Sequence, residues 1–204
     1  MLSRIAVLVS GGGTNLEHLL LAQEAGHIPH GEIVLVVSNN PGAYALERAK
    51  NHGVPGVCVL KKGVSQADFE AALTRELEAR DVDMIVLAGF LSILSADFVR
   101  RWPDRILNIH PSLIPSFCGK GFYGLKVHEA ALAKGVKVTG ATVHFVNEVP
   151  DGGRILLQKA VEVLPDDTPE VLQKRVMEQA EWVLLPQAAE LVAQGICQEK
   201  ENGK

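Results

Sequence analysis

The sequence is poor in cysteine and in long apolar runs, and it carries no large excess of either charge. Its 204 residues hold three cysteines, Cys58, Cys118 and Cys197. They are odd in number and far apart, so the chain spells out neither a disulfide framework nor a zinc-ligand spacing. They read as thiols of a reducing cytoplasm. No apolar run approaches the ~20 residues that span a bilayer. Met1-Leu2-Ser3-Arg4 leads straight into a strand-like segment, without the pattern of a signal peptide. Lys and Arg total 20 against 24 Asp and Glu, a formal net charge of -4, so electrostatics gives no reason to expect nucleic acid as a partner. The expectation is a cytoplasmic protein that binds neither membrane nor nucleic acid.

What is present is an apolar content of 47%, ordinary for a folded chain and too high for general disorder. The length predicts one or two domains and a sizeable core. Short branched-aliphatic runs at Ile5–Val9, Ile33–Val37, Gly56–Leu60, Met84–Ala88 and Ile106–Ile109 suit strands buried on both faces of a parallel sheet. Helical patterns lie between them, as where Phe69, Leu73 and Leu77 recur at steps of four. This alternation predicts right-handed βαβ units.

The pattern changes after Pro111. Residues 111–124 read as loop and Val127–Leu132 as a short helix. Val138–Val146 and Ile155–Val163 read as a hairpin around Pro150-Asp151-Gly152-Gly153. Thr168 caps a long helix with Pro169 at its first position. Pro186 is expected to kink or break that helix, and Gly195 to end it before a frayed tail. The fold class is therefore α/β: an open, mostly parallel, Rossmann-like sheet with an antiparallel C-terminal hairpin and a long C-terminal helix.

Two motifs carry chemistry. Ser10-Gly11-Gly12-Gly13-Thr14-Asn15 joins a strand to a helix, where backbone N–H groups and the helix dipole favour an anion. The dinucleotide fingerprint fails at Leu16, and no Gly-Lys-Ser/Thr follows for a nucleotide phosphate loop. A single phosphate group or a plain glycine turn are the two readings of the loop alone. Asn108 and His110 alternate onto one face at the end of the fifth strand, and Pro111 turns the chain out of the sheet. Such a pair either caps a strand end or donates hydrogen bonds and protons at an acyl-like centre. His27 and His30 read as exposed turn residues, His144 as structural or pocket-lining, and Asp166-Asp167 as solvated. Lys120 near Cys118 is expected to lower that thiol's pKa.

Asn108-Ile109-His110-Pro111-Ser112-Leu113-Ile114-Pro115 resembles the signature of the folate-dependent formyltransferases. The resemblance extends to Ser10–Leu16, Val86–Phe90, His144–Val146 and Asp151–Gly153, and spans about Arg4 to Gly195. The glycine loop and the short chain resemble the branch that formylates glycinamide ribonucleotide in de novo purine biosynthesis. The tRNA-acting and deformylase branches carry a further domain for which this chain is expected to have no room. The resemblance implies a one-carbon transferase using 10-formyltetrahydrofolate as co-substrate and no metal. It implies a single domain over 1–204, with a phosphate-binding half at 1–110 and a folate and catalytic half at 111–197, as a monomer or homodimer.

Site roles follow by position. The resemblance implies Asn108, His110 and Asp151 as the catalytic trio. It implies Gly11, Gly12, Gly13, Thr14, Asn15, Gly89, Pro111 and Glu181 on the ribonucleotide. It implies Gln66, Leu91, Ser92, Ile93, Leu94, Thr142, Val143, His144, Phe145 and Val146, together with Asn108, on the folate. Other folate-dependent formyltransferases, and a non-catalytic folate-binding protein on the same scaffold, are the alternatives.

Overall fold

The computed structural model describes residues 1–203. The first half alternates β1 (Ser3–Val9), α1 (Thr14–Glu24), β2 (Gly31–Ser38), α2 (Ala45–Asn51), β3 (Gly56–Cys58), α3 (Gln66–Glu78), β4 (Met84–Leu87), α4 (Ala96–Arg100) and β5 (Ile106–His110). α5 (Leu125–Lys134), β6 (Val138–Phe145), β7 (Ile155–Glu162), α6 (Pro169–Val176) and α7 (Trp182–Glu201) complete it, with a widened π turn at Met177–Glu181. The seven strands form one sheet ordered β3-β2-β1-β4-β5-β6-β7. The strands from β3 to β5 pair in parallel, and β6 and β7 pair antiparallel.

Helices cover both faces, which is why the central strands are apolar at successive positions. Ile5, Val7 and Val9 of β1 pack with α1 and α7 residues such as Leu16, Leu20 and Ala189. Ala6 and Leu8 face the other way, into a layer with Phe69, Leu73 and Leu77 of α3. The chain runs outward from β1 through β2 to β3, then returns to β4 on the other side of β1. Ligands of open α/β sheets bind at such a reversal, outside the carboxyl ends of the strands. Here it brings the loop after β1 beside the loop after β4, where Ser10 N donates to Gly89 O at 3.2 Å.

Several expectations are corrected. Pro186 does not break α7, which runs through it. The irregularity lies one turn earlier, where Trp182 N–H reaches back to Met177 O. The carbonyl that Pro186 leaves without a donor is that of Trp182, at the end of the widened turn. Gly195 does not end the helix, which continues to Glu201. Beyond Gly195, Ile196 and Cys197 are buried, and Lys200 Nζ bonds Asp83 Oδ2 at 2.6 Å. Burying an isoleucine stabilises by about 2 kcal/mol, more than the ~1 kcal/mol that glycine costs a helix. A methyl at Gly195 meets open space. Gly195→Ala is accordingly expected to raise stability by about 0.5–1 kcal/mol, read as a higher urea midpoint with unchanged slope.

α4 lacks a strong apolar pattern and was not expected. Ser95 caps it by accepting from Phe98 N. Asp167 is not solvated, because Arg175 grips both its oxygens at 2.5 Å. His30 is half-buried, with Nδ1 2.5 Å from Glu190 Oε1. Among the described residues no helix is long and apolar enough to cross a membrane.

Candidate active site

A cavity of about 620 Å³ opens at the carboxyl ends of β1, β4 and β5. Thr14, Asn15, Gly89, Leu91, Ile93, Asn108, His110, Pro111, Asp151 and Glu181 all line it, from five separate stretches of chain. A smaller recess of about 120 Å³ adjoins it, sharing Asn108 and Asp151 and adding Ser92, Leu94, His144 and Val146.

Asn108 and His144 face each other because β5 and β6 pair in that register. His144 Nδ1 lies 2.8 Å from the Phe145 carbonyl, to which only an N–H can donate. In the neutral ring Nε2 then accepts, and it does so from Asn108 Nδ2 at 3.1 Å. The second Asn108 N–H reaches Asp151 Oδ1 only at 3.5 Å, a limiting distance that leaves it free for a ligand. His110 is flanked by two acceptors, with Nε2 2.9 Å from Phe117 O and Nδ1 3.6 Å from Asp151 Oδ2. Only the imidazolium presents N–H to both. His110 is 4% exposed, so a charge there meets little water.

Asp151 sits at the hairpin tip with φ 56°, a left-handed conformation that Asp tolerates better than most residues. Gly153 must be glycine, since a Cβ there would stand 1.7 Å from Phe145 O. Asp151 Oδ2 accepts from Gly119 N at 2.8 Å, and Oδ1 lies 3.6 Å from His144 Nε2. Burial pushes the carboxyl pKa up, but His144, His110 and the Gly119 N–H outweigh it and hold it below the usual 3.8. Asp151 is thus an anion shared by two imidazoles.

Across the cavity, α1 starts without a side-chain cap, so its first N–H groups have no partner of their own. Gly11 O accepts from Ala45 N at 3.1 Å, and Gly12 O from Arg48 Nε at 2.8 Å. Both carbonyls therefore turn toward α2. The N–H across each trans peptide points the opposite way, so those of Gly12 and Gly13 face away from α2. Gly13 has φ 73°, and a Cβ there would lie 2.6 Å from Ala45 Cβ. The loop can thus present an anion cradle.

Glu181 closes the far wall. It is buried, and among the described residues its only side-chain hydrogen-bond partner is Asn15 Nδ2, 2.7 Å from Oε2. Burial pushes its pKa up to about 7, against a smaller downward pull from Asn15. A carboxyl whose folded pKa exceeds its unfolded 4.5 stabilises the fold fully at acid pH and loses that contribution as pH rises toward 7. Between pH 4.5 and 8 the wild type should lose stability relative to Glu181→Gln, followed as Tm. Parallel curves would mean that the buried carboxyl is already ionised at pH 5.

Not every expected residue reaches the cavity. Gly11, Gly12 and Gly13 lie behind Thr14 and Asn15 and would act through backbone N–H. Thr142 and Val143 are buried below the site: Thr142 Oγ1 donates to Ser112 O at 2.6 Å, and Val143 packs in the core. Phe145 packs beneath Arg154. Gln66 also turns away, donating to Glu70 Oε1 at 2.6 Å and to Ile93 O at 3.1 Å. Ser92 Oγ accepts from Asn39 Nδ2 at 2.7 Å. The thiol of Cys118 is raised by burial and by Asp151, against the lowering expected from Lys120.

Sequence reasoning missed Phe117 and Gly119, which act through backbone atoms and leave no residue signature. It also missed Gln173 and Met177, which line the cavity with Glu181 at steps of four along one helical face. That periodicity was available. Among the described residues no group of three or more His, Cys, Asp or Glu side chains is placed to hold a metal ion.

A polar trio over a cleft, opposite an anion cradle and on an α/β sheet, belongs to group-transfer chemistry. The family model for formyl transferases matches residues 3–188, and the chain belongs to that family of enzymes. A phosphoribosylglycinamide formyltransferase of Haemophilus influenzae is 40% identical over 202 residues, covering 98% of this chain and 92% of that protein. The trifunctional purine biosynthetic protein adenosine-3 of Gallus gallus is 47% identical over 202 residues, which are 98% of this chain. This chain spans only 14–19% of such trifunctional relatives. The crystal structure of glycinamide ribonucleotide transformylase 1 from Symbiobacterium toebii superposes with TM-score 0.88 at 42% identity, covering 95% of this chain and 89% of that one.

Proposed function

We propose that this chain transfers the formyl group of 10-formyltetrahydrofolate to the amine of glycinamide ribonucleotide, a step of de novo purine biosynthesis. The observation that carries this reading is the meeting of Asn108, His110 and Asp151 with an anion cradle in one cavity. The relatives named for this reaction support it. The folate fits what lines the site. Leu91 and Ile93 hold apolar side chains out at 66% and 69% exposure at the edge of the large cavity, where a flat ring can cover them. The co-substrate supplies the formyl carbon on a nitrogen leaving group.

The chain's residues do the rest. The N–H groups at Gly12 to Asn15 hold the phosphate, and Glu181 meets the ribose. When the amine attacks the formyl carbon, negative charge collects on the formyl oxygen. Asn108 donates its free N–H to that oxygen, and an imidazolium at His110, held between Phe117 O and Asp151, sets a positive charge beside it. Asp151 Oδ2, 3.6 Å from Nδ1, orients that ring. The proton lost by the amine reaches the departing folate nitrogen through water. The loop Cys118–Gly124, whose residues 119–124 line the cavity, is placed to cover the reactants.

The test is formyl transfer to glycinamide ribonucleotide followed by folate absorbance, with the dephosphorylated acceptor in parallel. The reading expects turnover that depends on the phosphate. Equal use of both acceptors would refute the cradle, and no turnover would refute the function.

A further inference from the structure

The stretch Gly89–Leu94 has no regular secondary structure, yet it presents Leu91 and Ile93 to the large cavity and Ser92 and Leu94 to the recess. Side chains from elsewhere fasten it. Leu91 N donates to Ser10 Oγ at 2.9 Å, and Gln66 Nε2 to Ile93 O at 3.1 Å. The strongest fastening is at Glu70, a carboxylate on α3 that is 9% exposed and, among the described residues, has no cationic partner. Its Oε1 accepts from Ser95 N and from Gln66 Nε2, and its Oε2 from Ser95 Oγ, each at 2.6 Å. A buried carboxylate without a cation costs free energy that α3 alone does not require. Its bonds all go to the segment after the lip and to the one residue that grips Ile93.

The geometry points to Glu70, with Gln66, as a positioning residue for the folate: the two clamp residues 93–95 so that Leu91 and Ile93 form a preset apolar lip. This deepens the formyl-transfer reading and rests on it. Exposed apolar side chains gain little by being held out in water, so a fixed lip is matched to a ligand that covers it. Preorganisation of this kind tightens binding by reducing the ordering left to the binding step. Gln66 therefore serves the folate through the backbone it holds.

Glu70→Gln keeps the size but turns an amide NH₂ against donors at Ser95 or Gln66. The probe is 5-formyltetrahydrofolate, titrated calorimetrically onto the full chain. Its Kd and the KM for the folate donor should rise about tenfold, the worth of hydrogen bonds to a charged group. Turnover at saturation and the KM for the ribonucleotide should stay within about twofold. Gln66→Ala, at a more exposed position, should shift the folate terms in the same direction by a few-fold and covers the case in which Glu70→Gln does not fold. A lower Tm with unchanged folate affinity in a folded variant overturns the clamp, as does an equal rise in both KM values. If the wild type binds no 5-formyltetrahydrofolate, the folate reading itself fails, and the clamp with it.

Discussion

Asn108→Ala is expected to lower turnover about 10²–10³-fold with the fold intact, the usual cost of removing one donor to a developing oxyanion. The fold should survive because Asn108 is half-exposed at the cavity wall and contributes one good side-chain hydrogen bond, to His144. The affinity for both substrates should change little, since the lost interaction strengthens only as charge develops on the formyl oxygen. Steady-state kinetics with both substrates, beside a thermal melt, reads all three quantities. Near-normal turnover in a folded variant would remove Asn108 from the mechanism. It would leave the pair with His144 as an ordinary cross-strand contact.

Much of the scaffold is legible in the sequence because burial on both faces leaves a simple mark. β1, β2 and β4 read as unbroken aliphatic runs for that reason, and Thr168 marks the start of α6 as a side-chain cap. The misses have a common cause. Gly195 and Pro186 are poor helix residues, and local propensity argues for an end or a break at each. The helix persists because it is buried along one side from Leu184 to Cys197. Tertiary burial outweighs propensity there, and sequence periodicity over so mixed a segment understates it.

Legibility of the site divides by how a residue acts. Asn108, His110, Thr14 and Asn15 present side chains, sit at strand or helix ends and can be found by position, whereas Glu181 lies within the long helical run and is named through the family resemblance. Asp151 reads from the residues as part of a turn, and only the family resemblance assigns it to the site. Phe117 and Gly119 contribute a carbonyl and an N–H, and any residue able to adopt the conformation would supply them. Gln66 and Ser92 match a ligand-contacting position while their side chains bond within the protein, Gln66 to Glu70 and Ile93 and Ser92 to Asn39.

Asp151→Asn carries the second large effect, an expected loss of about 10²–10⁴ in turnover, the range for a group that supports proton transfer. Asparagine is the informative change because it tolerates the left-handed φ of 56° and can still accept from Gly119 N. What disappears is the charge 3.6 Å from His110 Nδ1 and from His144 Nε2. Without that carboxylate the loss of activity on its protonation should vanish, so the acid limb of the pH–rate profile below 3.8 should flatten. Stability should respond in a way that separates charge from shape. The wild-type carboxyl sits below its usual 3.8, so its contribution is present above that value and is lost as pH falls through the folded-state value. The variant should therefore be the less stable protein at pH 7, and the gap in Tm should narrow as pH falls below 3.8. An unchanged pH–rate profile would reduce Asp151 to a turn residue. A gap in Tm that is constant with pH would mean that its carboxylate is not held by the two imidazoles.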